Sequence, residues 1–151
     1  MRRSIKAIGS IGLAGLLGAC AGGAHSPYPP AAQCPQPRFT GKAPDRIYAL
    51  SNPLAPDTAN AAAGRRLYEK DASPVCAACH GIKGDGTGPL AAQFDPPPRN
   101  FACKETVNGI PDGQLFWIVK NGSPGTGMPG FHALRDDQIW QLVLYLRQLA
   151  K

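Results

Sequence analysis

Cys76-Ala77-Ala78-Cys79-His80, residues 76–80, places two thiols and an imidazole within five positions. Three chemistries use such a cluster. A structural zinc site needs four ligands. The cluster offers at most three, and no second Cys-x-x-Cys or His-x-x-x-His follows it. Cys34 or Cys103 could complete a set, but neither sits in a ligand-like pair. A redox dithiol of the thioredoxin kind follows a strand in a βαβ unit. Here the cluster follows the helical pattern DTANAAAGRRLYEK, residues 57–70, in a chain with no run of alternating polarity. The third chemistry is covalent haem attachment, for which Cys-x-x-Cys-His is the signature. The thiols of Cys76 and Cys79 would add to the two haem vinyl groups, and His80 would reach the iron from one side.

That reading leaves one iron face to fill. Beyond residue 19 the chain has a single methionine, Met128, in TGMPG, and its soft thioether suits haem iron. Turn residues flank it, which argues against a core-filling role. His132 is the competing ligand.

The first nineteen residues carry a basic start, MRRSIK, and an apolar run, AIGSIGLAGLLGA, too short for a comfortable membrane span. That layout is a secretory signal peptide. It ends in LGAC, residues 17–20, which resembles the lipobox of bacterial lipoproteins and implies lipidation of Cys20. Ala21 is not the aspartate that retains such lipoproteins at the inner membrane, so an outer membrane is slightly preferred. Removing residues 1–19 lowers the formal charge from +6 to +3. Lys and Arg form no stripe and no recognition motif, so nucleic acid is not an expected partner. Export means an oxidising compartment, and Cys34 and Cys103 remain as an even pair. A bond between them would close a loop of about 70 residues, worth roughly 4 kcal/mol, and would pin half of the N-terminal tether to the rest of the chain, leaving only residues 21–33 free.

Residues 20–56 read as a lipid-anchored, Pro-rich tether, with eight of the sixteen prolines and a reach of at most roughly 110 Å. His25 in it is expected to be exposed and idle. The compact domain is residues 57–151. Asp57 or Thr58 caps its first helix. A second helix runs from about Pro111 to Lys120, with Leu115, Ile118 and Val119 on one face. The last starts near Asp136 as DDQIWQLVLYLRQLAK, with acids leading and Arg147 near its end. Long Gly- and Pro-rich loops fill the rest. They suit a chain that wraps a large apolar ligand.

Taken together, residues 57–151 resemble a class I cytochrome c. The motifs are Gly64 and Tyr68, the Cys76–His80 cluster, Gly88-Pro89, LFWIVKNG at 115–122, Thr126-Gly-Met128-Pro129, and Leu142 with Tyr145. The resemblance implies an all-α fold of three to five helices around one covalent haem c, with His80 and Met128 as axial ligands. It implies that Gly64 and Tyr68 pack on Leu142 and Tyr145 where the first and last helices cross. It also implies that the Pro89 carbonyl accepts from the second nitrogen of His80. Arg135 stands where such proteins commonly have a Ser or Thr cap, so Asp136 is the expected cap. Arg99 is a candidate for a haem propionate, and Trp117 and Phe94 for the haem edge.

The function this implies is outer-sphere electron transfer, with no catalytic residue. Redox partners would be a respiratory complex or a periplasmic dehydrogenase, met at the membrane face. Two other classes stay open: a haem subunit of a multi-subunit dehydrogenase or reductase, and a sensor or peroxidase in which Met128 is displaced.

Overall fold

The computed structural model describes residue 26 and residues 28–150. The signal-peptide and lipobox readings, Cys20 included, and that of His25 lie outside the described residues. Six α-helices and no strand occur among the described residues. Three are long enough to carry a core: α2 (Thr58–Arg66), α5 (Asp112–Asn121) and α6 (Asp136–Leu149). Single-turn pieces make up the rest: α1 (Asp45–Tyr48), α3 (Cys76–His80) and α4 (Lys104–Val107). These short turns account for the excess over three to five helices. The all-α fold itself stands.

Asp57 caps α2 by accepting from the Asn60 N–H at 2.8 Å, as its side-chain chemistry favours. The helix then widens into a π-turn, Leu67–Asp71, closed by Ala72 N–H to Leu67 O at 3.1 Å. The π-turn places Leu67 and Tyr68 in the core, and the Tyr68 hydroxyl donates to Gly81 O at 2.8 Å. Helix α2 crosses α6 at Gly64. A β-carbon there would run into the backbone carbonyl of Gln141, so only glycine permits this approach. Tyr68 and Tyr145 meet edge-on, with ring centroids 5.3 Å apart, and Leu142 is 2% exposed beside them.

Arg135, not Asp136, is the N-cap of α6. Its backbone N–H is taken by the Gln138 side chain at 3.0 Å, and its guanidinium pairs with Asp137. The reach-back of Gln138 removes the need for a capping side chain at residue 135. Near the other end of α6, Arg147 donates to Asp112 and to the carbonyls of Val107 and Ile110. One half-buried guanidinium thereby ties the last helix to the turn that starts α5.

The tether is held over more of its length than a Cys34–Cys103 bond alone would pin: Ser26 donates to Asp95, and from Tyr28 onward the segment lies against the helical body. A Pro-rich segment has backbone polar groups with no partners of its own, and buried ones must be satisfied. Two buried glutamines do this. Gln36, 1% exposed, receives the Asn100 N–H on Oε1, while its own N–H donates to Thr106 Oγ1. Gln114, 4% exposed, accepts from Ala43 N–H and donates to Gly41 O. Asn52 continues the seam by donating to Trp140 O at 2.9 Å. Cys34 and Cys103 are joined in a disulfide with Cα atoms 5.5 Å apart.

That bond spans 69 positions. The double variant Cys34→Ser/Cys103→Ser is therefore expected to lose roughly 4 kcal/mol of stability, chiefly through a less constrained unfolded chain. Guanidinium unfolding of the two proteins under non-reducing conditions measures the difference.

Candidate functional site

Helix α3 is the cluster itself, Cys76–His80. Cys76 and Cys79 are three apart in it, so they share a face. The turn ends at once because Gly81 has φ +78°, where a β-carbon would also meet the Asp85 carboxylate. This stop leaves His80 as the last helical residue. Its ring stacks on Phe101, centroids 4.5 Å apart.

The His80 Nδ1 lies 3.0 Å from a backbone carbonyl oxygen. A carbonyl only accepts, so Nδ1 carries the proton and Nε2 keeps its lone pair, the form that binds a metal. The carbonyl belongs to Arg99, not to Pro89. Pro89 is exposed, and its segment folds back on the end of α3 through Gly88 N–H to Cys79 O and Leu90 N–H to Ala78 O. The rigid Pro96-Pro97-Pro98 stretch instead delivers Arg99 to the ring. Burial pushes the imidazole down to about 4, so it is neutral at pH 7.

The two thiols are neutral as well. Burial pushes Cys76 up to about 12 and raises Cys79. A redox dithiol depends on a lowered thiol pKa, and this pair has the opposite environment.

Cys76, Cys79, His80 and Met128 all line one cavity. Much of the rest of its lining is apolar, including Leu115, Ile118 and Val119 of α5 and Leu142 and Leu146 of α6. The Met128 loop is tied to itself. Thr126 Oγ1 donates to Ser123 O at 2.7 Å and accepts from the Met128 N–H at 3.2 Å. His132, the competing ligand, is exposed and does not line the cavity.

Phe94 lines the cavity, but Trp117 does not. On α5 it lies about 200° around from Leu115 and so faces away from the Leu115–Ile118–Val119 side. It rests against the strap near Gly41. Arg99 lines the cavity, with Nη1 bonded to Gln36 O at 2.8 Å. Burial first, then the nearby Arg38, brings it down to about 10.

Residues 61–150 match the family model described as cytochrome c. The chain belongs to the cytochrome c family. A cytochrome c55X of Stutzerimonas stutzeri is 33% identical over 87 residues, covering 57% of this chain and 67% of that protein. Among solved structures, a chain of the reducing HAO-like protein complex of Kuenenia stuttgartiensis aligns with a TM-score of 0.58 and 31% identity. The alignment covers 69% of this cytochrome c and 49% of that chain, so the present protein spans about half its length.

Membership implies a covalently bound haem c, and the residues present fit one. Two neutral thiols one turn apart, a neutral imidazole with Nε2 free, a thioether and apolar walls meet in one cavity. Sequence reasoning missed Arg38, which also lines it. Its Nη1 donates to Pro97 O at 2.6 Å, while buried Nε and Nη2 have no partner among the described residues. The signal was present in Cys34-Pro-Gln-Pro-Arg38. A bond from Cys34 to Cys103 carries this arginine to the neighbourhood of Arg99.

Proposed function

We propose that this cytochrome c is an exported, lipid-anchored electron carrier holding one haem between His80 and Met128. The observation that carries the reading is that His80 and Met128 share a cavity with both thiols of the attachment motif. Bound haem would supply a one-electron iron couple. The chain's own part is to hold and shield it. Cys76 and Cys79 would fix it covalently. His80, oriented by the Arg99 carbonyl, and Met128, held by Thr126, would take the two axial positions. Leu115, Ile118 and Leu142 would keep water from the ring. With both positions filled, no substrate reaches the iron, and only electrons pass.

The anchor would be Cys20. Because the chain is already bonded to Asp95 at Ser26, the free reach between lipid and protein would be at most roughly 20 Å. That is a short leash, and it would keep the haem domain near the membrane face, where a respiratory complex or a periplasmic dehydrogenase is the expected partner. Among the described residues no helix is long and apolar enough to cross a membrane. A place as a subunit of a larger oxidoreductase is the second reading, favoured by the likeness to a chain of a multi-protein complex. Stable co-purification with one large partner separates it from a free carrier.

The full chain, expressed with haem-attachment machinery, is expected to carry one covalent haem by intact mass and to titrate reversibly with a one-electron slope. Absence of the haem adduct, or two adducts per chain, contradicts the reading.

A further inference from the structure

Two buried guanidinium nitrogens without partners are costly, because a desolvated donor loses its bonds to water and gains none in return. Arg38 Nε and Nη2 are such a pair. They form one edge of the guanidinium, the edge that offers two parallel N–H bonds to a carboxylate. The opposite nitrogen, Nη1, is already committed to Pro97 O. No carboxylate of the chain lies within ion-pair distance of Arg38 or Arg99 among the described residues. The nearest acid acting on Arg38, Asp95, is bonded to Ser26. Two cations thus sit together at the cavity with no anion supplied by the protein.

The position is also built. The segment bearing Arg38 is fixed by the Cys34–Cys103 disulfide, by Gln36 on Asn100 and Thr106, and by Arg99 Nη1 on Gln36 O. It lies wholly outside residues 61–150, the part matched by the family model.

Resting on the haem reading above, we infer that residues 30–43 are a strap that closes the cavity, and that Arg38 clamps a haem propionate through its Nε–Nη2 edge. The disulfide and Gln36 act as positioning elements for that one contact. Arg99 supports the strap and adds a second positive charge. The clamp keeps the propionate ionised within the cavity, and its charge favours ferrous over ferric iron.

The test uses the full, haem-loaded chain and compares Arg38→Gln with the parent by spectroelectrochemistry. Loss of the cation is expected to move the ferrous/ferric equilibrium toward ferric on the order of tenfold, about 59 mV for a one-electron couple. Arg46→Gln removes the same charge from an exposed helix and is expected to leave the potential close to the parent's. A purely structural role for Arg38 would lower thermal stability and leave the potential alone. An Arg38→Gln protein with the parent's low-spin spectrum and the parent's potential overturns the inference. Should Arg38→Gln not fold, Arg38→Lys decides, since it keeps the charge and loses the fork. The propionate bands in its redox-difference infrared spectrum are expected to shift, and unchanged bands overturn the clamp. A parent chain lacking the low-spin haem spectrum would remove the functional reading itself, which the spectrum alone reveals.

Discussion

Met128→Ala in the haem-loaded protein is expected to bind carbon monoxide promptly in the ferrous state and to lose the low-spin spectrum of the ferric state. Among the described residues the thioether is the one soft donor lining the cavity beyond the attachment motif. Alanine leaves that side to water. His132 cannot replace it without rebuilding the loop, because it is exposed and does not line the cavity. Methionine ligation favours ferrous iron, so the potential is expected to fall by on the order of 0.1–0.3 V, well within the ~0.8 V that axial ligands span. Folding should survive, since the loop is held by Thr126 and by Phe131 N–H to Val119 O, neither of which involves the thioether. A Met128→Ala protein that stays low-spin and indifferent to the gas would mean that another side chain is the ligand.

Gly64→Ala is the second large effect, and it acts on stability. Two opposing contributions decide its sign. Alanine is the better helix former by about 1 kcal/mol. Against that, its β-carbon would collide with the Gln141 carbonyl, which is backbone and cannot swing aside as a side chain can. Overpacking of this kind costs about 1–3 kcal/mol or more. The clash prevails, and a net loss of about 2 kcal/mol is expected, visible as a fall of roughly 8 °C in the midpoint of thermal unfolding. Gly64→Val should lose more, since both of its γ-carbons enter the same crossing. A Gly64→Ala protein as stable as the parent would show that α2 and α6 do not cross at this point.

The parts of the fold legible in the sequence are those with local causes. Asp57 capping α2 and the apolar faces of α5 and α6 follow from residue type and period alone. The tolerated glycine at 64 pointed to a close approach, and the Gln141 backbone is what approaches. The short turns α1 and α4 lack both length and period, and their residues fold because neighbouring segments pack on them. The strap was hidden for a similar reason. Its prolines suggested a tether free up to the disulfide, yet its hydrogen bonds go to Asn100, Thr106 and Gln114, and partners 64 to 71 residues away leave no trace in composition.

The site divides in the same way. Cys76, Cys79 and His80 are contiguous and announce themselves. Met128 follows from softness and loop context. The carbonyl on His80 does not, because any residue can supply one. The resemblance to class I cytochromes c implied residue 89, whereas the triple proline brings residue 99. Trp117 failed by angle: hydrophobicity marked it as lining, but its place on the helix turns it toward the strap. Arg38 failed because a lone arginine among prolines looks solvated until its burial is known.

The most direct measurement is the visible spectrum of the purified, reduced protein before and after addition of carbon monoxide. A low-spin c-type spectrum that the gas leaves unchanged is expected, because His80 and Met128 would fill both axial positions. A prompt shift on exposure to the gas would contradict it, and the protein would then be a haem sensor or peroxidase with an open iron site.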